Sequence, residues 1–240
     1  MAGGLVLDLH VHTTAGSADA SLRAAVLGGA ARAAGLHGVL VTEHFRRWTE
    51  WEVRAVAEAQ GILVIPAREW STPLGHVLAI GLSAEDPGLR DIERLRRAAD
   101  EEGALLVAAH PFRYFFDPPR PGLHPVTWRT EDPEEAATLP LFRYVDAVEV
   151  ANGNCTAREN AFAAAVAAVL GLPGTGGSDA HYADDLGRQV SLLPHGVHDP
   201  ATLIEAIRCG AVRVLAGRDL GQFTTHPSGS SIEEVRPPLL

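Results

Sequence analysis

The 240-residue chain contains no lysine; all 20 of its basic residues are arginines. That absence excludes Schiff-base catalysis, a phosphate loop built on lysine, and the carbamylated lysine that bridges ions in many barrel hydrolases. Cysteine is scarce as well. Cys155 and Cys209 are the only two, too few for a disulfide framework and too far apart for a paired-thiolate zinc motif. Both are expected to be small packing side chains in a reducing compartment. No run approaches the ~20 apolar residues of a membrane span. The opening MAGGLVLD has neither the basic stretch nor the cleavage signal of a leader. A cytoplasmic protein that does not engage membranes is expected. The formal net charge of −10 argues against long nucleic acid as a partner, because such binding draws on bulk attraction to phosphates. It is compatible with carboxylates offset by bound divalent ions.

With 46% apolar residues and 24 glycines, the chain can bury one sizeable core. Apolar β-type runs (LVLDLHV, GVLVTEH, ILVIPAREW, ALLVAAHP, VDAVEVANG, LPGTGGSDAH, QVSLLP) alternate with stretches of helical spacing. The helical stretches are residues 20–34, WTEWEVRAVAEAQG, PGLRDIERLRRAADEEG, TARENAFAAAVAAVLG and DPATLIEAIRCG. GHVLAIGL is expected to pair with ILVIPAREW as a hairpin around STPLG. Strands alternating with helices of 10–15 residues predict an α/β domain with a parallel sheet and helices outside it. Proline-rich residues 111–133 read as a long ordered loop. Residues 1–216 form one expected domain, and residues 217–240, without apolar period, a C-terminal tail or flap.

The polar exceptions to this pattern sit where strands end. In an extended chain, side chains two apart point the same way, so Asp8, His10 and His12 are expected on one face and Leu7, Leu9 and Val11 on the other. The second strand ends in Glu43 and His44, the third in Glu69, and His76 opens the hairpin strand. His110, then Glu149 with Asn152, then Asp179 and His181 end the next three. Chemistry in α/β folds collects at these carboxyl ends. Imidazole and carboxylate together suit Zn²⁺, Mn²⁺ or Fe²⁺, and more donors than one ion can use point to a site for several.

In order and spacing, D-L-H-V-H-T (8–13), T-E-H (42–44), Glu69 with G-H-V-L-A-I-G-L (75–82), H-P (110–111), V-E-V-A-N-G (148–153) and G-S-D-A-H (177–181) resemble the PHP superfamily, named for polymerase and histidinol phosphatase. The resemblance covers about residues 5–216. It implies a distorted barrel of seven β/α units and two or three divalent ions. By that resemblance, His10, His12, Glu69 and Asp179 would hold one ion. Glu69 would bridge to a second on His76 and His110, and Asp19, His44 and His181 would hold a third. The chain departs from the family pattern twice: Glu43 stands where many members have Asp, and A-G-S-A-D lengthens the path to Asp19. Asp8 and Glu149 are read as partners of histidine N–H groups.

The implied activity is hydrolysis of a small phosphorylated substrate (a phosphomonoester, a nucleotide or a short oligonucleotide) by metal-bound hydroxide, with Asp179 and Glu69 in the reacting centre. Without lysine, arginines must supply charge to the phosphate. Arg188 resembles the family's phosphate-facing position, and Arg113 and Arg158 are further candidates. Two rival readings remain: a carboxylic or carbamic ester hydrolase on the same ions, and a non-catalytic metal-stabilised module. His37, His124, His195, His198 and His226 are read as surface or loop histidines. Oligomeric state is left open.

Overall fold

The computed structural model describes residues 4–116 and 129–217. Its elements begin with β1 (Leu5–Val11), α1 (Leu27–Ala33), β2 (Gly38–Glu43), α2 (Glu50–Gln60), β3 (Leu63–Thr72) and β4 (Gly75–Ile80). There follow α3 (Ile92–Glu102), β5 (Leu105–Ala108), α4 (Pro133–Ala136), β6 (Ala147–Asn152) and α5 (Ala157–Leu170). The last are β7 (Gly174–Gly177), β8 (Gln189–Leu193), α6 (Pro200–Arg208) and β9 (Arg213–Ala216). The sheet order is β7-β6-β5-β4-β3-β2-β1-β8-β9. The sheet curls until β7 meets β1 again. There Val11 and Ala180 form a parallel bridge, and the His12 N–H donates to the Ala180 carbonyl at 2.9 Å. The result is a nearly closed, distorted α/β barrel.

Local chemistry sets the elements. Thr49 and Thr156 close capping boxes with Glu52 and Glu159 at the starts of α2 and α5, and Gly61, Gly103 and Gly171 end α2, α3 and α5 in the left-handed region. The expected helix at Pro87 is divided. Pro87–Arg90 make a 3₁₀ turn, and α3 starts only after Asp91, whose carboxylate accepts the Glu93 and Arg94 N–H groups. The expected helix over 20–34 shrinks to α1 and a preceding 3₁₀ turn, because residues 13–23 are used to build the site. Strand β9 was not anticipated; it is short and only half covered.

The sheet is mixed, which corrects the expected parallel arrangement. β1, β2 and β3 are parallel, as are β5, β6 and β7, but β4 is antiparallel to both neighbours and β8 to both β1 and β9. A parallel pair needs a long crossover, and the tight turn between β3 and β4 leaves no room for one. The hairpin itself is as anticipated. Three apolar clusters fill the molecule. One packs α6 (Leu203, Ile207) against Leu7, Leu9, Leu40, Ile65 and Leu105. A second packs α1 and α2 against Val6, Val11, Val39 and Val41, and a third gathers Phe112, Phe115, Phe142 and Phe162 with α3 and α5. Among the described residues, no helix is long and apolar enough to cross a membrane. The tail expected at 217–240 lies, after Gly217, outside the described residues, as do His124, His226 and much of the long loop.

One expectation about β1 fails in an informative way. Asp8 pairs with Val39 and Val11 with Val41, so β1 carries one residue more than β2 between these points, a β-bulge. Alternation breaks there: Leu7 and Leu9 pack in one cluster, while Val11 packs in another with Val6. Asp8 therefore does not join the imidazoles as their ring partner. It faces the closing seam, where its carboxylate accepts backbone N–H groups of Ser178 (2.7 Å), Gly187 (3.0 Å) and His10 (3.3 Å). Burial pushes its pKa up to about 6, held back by those bonds. Replacing Asp8 by Ala strands three buried donors at about 1–3 kcal/mol each. Asp8→Ala should lower unfolding stability by roughly 3 kcal/mol or more in a urea titration. Asp8→Asn keeps one acceptor oxygen and should cost less. A loss near zero for Asp8→Ala would mean the barrel closes without this carboxylate.

Candidate metal centre

Glu69, on β3 and 1% exposed, stands at the middle of five histidines. Its Oε2 lies 3.5 Å from His10 Nε2, 3.4 Å from His12 Nε2 and 3.1 Å from His44 Nδ1. Its Oε1 faces the other way, 2.9 Å from His76 Nδ1 and 3.0 Å from His110 Nε2. Asp179 Oδ1 lies 3.5 Å from His10 Nε2 and 3.2 Å from His12 Nε2. Asp19, despite the longer path to it, brings Oδ2 to 3.3 Å from His44 Nε2 and 3.4 Å from His181 Nε2. All nine candidate ligands thus lie together at one end of the barrel, and their donor atoms group most closely as His10, His12 and Asp179, as His10, Glu69 and His110, and as His12, His44 and His181, so that His10 and His12 each face two neighbouring groups.

These spacings fit divalent ions. Donor atoms about 2.0–2.2 Å from one ion stand about 3.3–3.6 Å apart at tetrahedral angles. The four edges that join His10 and His12 to Glu69 and Asp179, 3.2–3.5 Å, fall at or close to that separation. The Nε2 atoms of His10 and His12 are buried and accept or donate no hydrogen bond, as expected of lone pairs kept for a cation.

The other ring nitrogen is accounted for in each case where orientation matters. His10 Nδ1 donates to Glu149 Oε1 at 3.0 Å, and His181 Nδ1 to the Asp179 carbonyl at 2.9 Å. Both bonds put the proton on Nδ1 and turn Nε2 toward the cluster. Burial alone would lower the His10 pKa; Glu149, Asp179 and Glu69 outweigh it and hold it well above the ordinary value, so that without a cation Nε2 also carries a proton, which a bound ion would displace. Burial lowers His12 to about 4, so that ring is neutral at pH 7. Burial would raise Glu69 and Asp179, but His10 and the neighbouring donors hold both well below the usual carboxylate range. The site is therefore a buried set of ionised carboxylates among imidazoles. Its backbone is strained as well: His110 (φ 31°) and Asp179 (φ 53°) adopt left-handed conformations that non-glycine residues disfavour.

The sequence did not reveal what holds His12. Its Nδ1 donates to Ser17 Oγ at 3.1 Å, and that hydroxyl donates to Glu43 Oε2 at 2.6 Å while accepting the His44 N–H. Glu43, fully buried, also accepts from Trp48 Nε1 (2.8 Å), the Thr13 N–H (3.0 Å) and the Thr13 hydroxyl. A Cβ on Gly16 would meet Glu43 Cβ at 2.6 Å, so only glycine lets the loop lie on this carboxylate. The two departures from the family pattern are thus physically joined: the longer acid fills the space under the longer loop. The only local clue was Ser17 between Gly16 and Asp19.

The arginine candidates divide. Arg113 donates to Asn152 Oδ1 at 3.0 Å and pairs with Asp179. Arg188, half exposed, pairs with Asp185 at 2.7 Å and reaches Asn154 Oδ1 at 3.4 Å; Asn154 in turn donates to the Asp179 carbonyl. Arg158 points elsewhere, pairing with Glu131 at 2.6 Å above the Phe116 ring. His37 accepts the Val6 N–H, a structural role. Burial pushes the Cys155 thiol up to about 12, so it supplies no thiolate at neutral pH. Because second-shell bonds orient ligands, Ser17→Ala should weaken metal uptake by about 10–100-fold in calorimetric titration of metal-free protein. Unchanged affinity would mean that His12 is held by packing alone.

A family model described as PHP-associated matches residues 157–212. No curated protein matches the sequence. Solved structures do. A two-domain protein from Bacteroides vulgatus, containing a predicted PHP-like metal-dependent phosphoesterase, is 22% identical with a TM-score of 0.65. The match covers 88% of this chain but 64% of that one, so the chain spans less than two thirds of its relative. An amidohydrolase from Chromobacterium violaceum, with bound sulfate and no metal, is 17% identical over 90% of this chain and 99% of its own (TM-score 0.57). The lesion-specific endonuclease EndoQ from Pyrococcus furiosus is 16% identical over 88% and 57% (TM-score 0.57). Residues 157–212 match the PHP-associated family model, and the chain shares the barrel fold of the PHP-like metal-dependent phosphoesterase structure.

Proposed function

We propose that the protein is a metal-dependent phosphoesterase acting on a small phosphorylated molecule: a phosphomonoester, a nucleotide or a short oligonucleotide. The observation that carries this reading is the division of Glu69, whose two oxygens face two different histidine sets. One ion cannot use both. His10, His12, Glu69 and Asp179 would hold one ion, His76 and His110 with Glu69 a second, and Asp19, His44 and His181 a third. Zn²⁺, Mn²⁺ and Fe²⁺ all suit this donor set. Bound there, divalent ions supply Lewis acidity toward a phosphoryl oxygen and toward water.

The chain's own residues do the positioning. Glu149 and Ser17 keep protons on the outer nitrogens of His10 and His12, leaving the inner ones as donors. Asp179 and Glu69 stay ionised at neutral pH. With lysine absent, Arg113 and Arg188 are the cations at hand for a phosphate, Arg113 beside Asp179 and Arg188 at the half-exposed rim. Arg158, bound to Glu131, would reach substrate only after leaving that partner. The acidic balance of the chain favours a small substrate over long nucleic acid, although one fold relative is an endonuclease. A carboxylic or carbamic ester or an amide is the second reading, favoured by the relative named as an amidohydrolase. Residues 1–216 would suffice for the chemistry.

Protein prepared without chelators should carry two or three equivalents of divalent metal by elemental analysis; one or fewer, with no further uptake, would end the multinuclear reading. Asp179→Asn should abolish all hydrolysis, because the site loses an anionic ligand. Arg188→Ala should lower phosphoester turnover about ten- to a hundredfold, the scale of a lost charge-assisted hydrogen bond, and spare any activity on a neutral aryl ester. Equal losses on both substrates would make Arg188 structural. A wild type that cleaves the neutral ester and no phosphoester would favour the carbonyl reading.

A further inference from the structure

Beside the cluster, a cavity of about 350 Å³ opens to solvent. Its walls include Asp19, His44 and His76, so anything that fills it abuts two of the three candidate ion sets. It is far larger than a phosphate and lies within the range of about 300–1,000 Å³ typical of sites for small organic ligands. The remaining wall is of a different character. Phe45 follows His44 directly, its ring edge-on to that imidazole at 6.5 Å between centroids, yet its side chain is 59% exposed. The loop beneath it is held, with the Phe45 N–H donating to the Gly16 carbonyl at 3.0 Å. A bare aromatic ring fixed beside a buried charge cluster adds nothing to the core and offers a flat face for a ligand. Trp70 forms the floor.

The cavity is also lined by Arg90, the last residue of the 3₁₀ turn before α3. It is exposed and has no carboxylate partner among the described residues, whereas Arg46, Arg68, Arg94, Arg96, Arg113, Arg158 and Arg188 each have one. Arg90 acts electrostatically on another cation, Arg68, which is already satisfied by Glu85. A guanidinium that lines a pocket without a carboxylate partner is placed to receive an anion.

Resting on the phosphoesterase reading, we propose that this cavity holds the leaving group of the substrate, and that the group is an aromatic or heteroaromatic ring stacked on Phe45 with an anionic substituent that reaches Arg90. The phosphoryl group would sit at the cluster and the ring in the cavity, with Phe45 and Arg90 determining specificity.

The test uses metal-loaded full-length protein and three phosphomonoesters: glycerol 2-phosphate, phenyl phosphate and 4-carboxyphenyl phosphate. Phe45→Ala should lower the ratio of kcat/KM for phenyl phosphate to that for glycerol 2-phosphate about tenfold, the scale of one lost stacking contact. Arg90→Gln should lower the ratio for 4-carboxyphenyl phosphate over phenyl phosphate by about tenfold or more. Ratios unchanged in both variants would overturn the assignment. Calorimetric binding of 4-carboxyphenylphosphonate, which is not hydrolysed, separates this outcome from failure of the phosphoesterase reading. If the wild type cleaves none of the esters but binds this phosphonate at least tenfold tighter than methylphosphonate, and Phe45→Ala removes the difference, the pocket stands and the reaction is another. Equal affinity for the two phosphonates in the wild type would overturn the pocket itself.

Discussion

A single buried carboxylate organises this molecule. Glu69 lies in the interior of the barrel, where a charge without partners would be prohibitively costly, and five imidazoles from four strand ends converge on its two oxygens. Each of those histidines needs the strand that carries it at a set height and rotation. The constraint therefore runs outward, from one side chain to the register of β1, β2, β4 and β5. Carboxylates kept ionised by neighbouring imidazoles make a concentrated anionic hole in a low-dielectric setting. Such a hole is stable with cations in it and strained without them.

The closing seam and the site are built from the same atoms. The bulge in β1 turns His10 and His12 inward while leaving Asp8 on the seam, where it gathers backbone donors from beyond β7 and from the turn before β8. A second register shift, between Glu149 and Ala151 on β6, lies where Glu149 reaches the His10 ring. At Gly177 an added Cβ would lie 2.5 Å from His10 Cβ, so β7 reaches β1 only because that position is bare. Bulges, glycine and two left-handed ligands concentrate irregularity at one end of the barrel, and the capped helices and apolar clusters carry the stability elsewhere.

Charge is distributed with the same economy. In a chain with a net charge of −10, Arg46, Arg68, Arg94, Arg96, Arg97 and Arg158 are tied to surface or rim carboxylates. Arg113 is drawn into the centre through Asp179 and Asn152, Arg188 borders it through Asn154, and Arg90 lines the cavity. This places positive charge at three separate distances from the cluster.

Much of this was legible in the residues themselves. Apolar runs ending in histidine and acid located the strand ends, the hairpin and the cluster of candidate donors, because a strand end is where such side chains can converge. Helical spacing of apolar residues marked α2 and α5, since that period survives in the linear sequence. What the sequence left undetermined depends on contacts between segments far apart in the chain. The bulge that separates Asp8 from its neighbours is a property of the β1–β2 pairing. The antiparallel placing of β8 depends on its pairing with β1 and β9, and Ser17 becomes the support of His12 only once Glu43 lies beneath it. Donor chemistry is carried by residue identity and survives in a linear pattern. Orientation and pairing are decided by packing, and packing exists only in the folded chain.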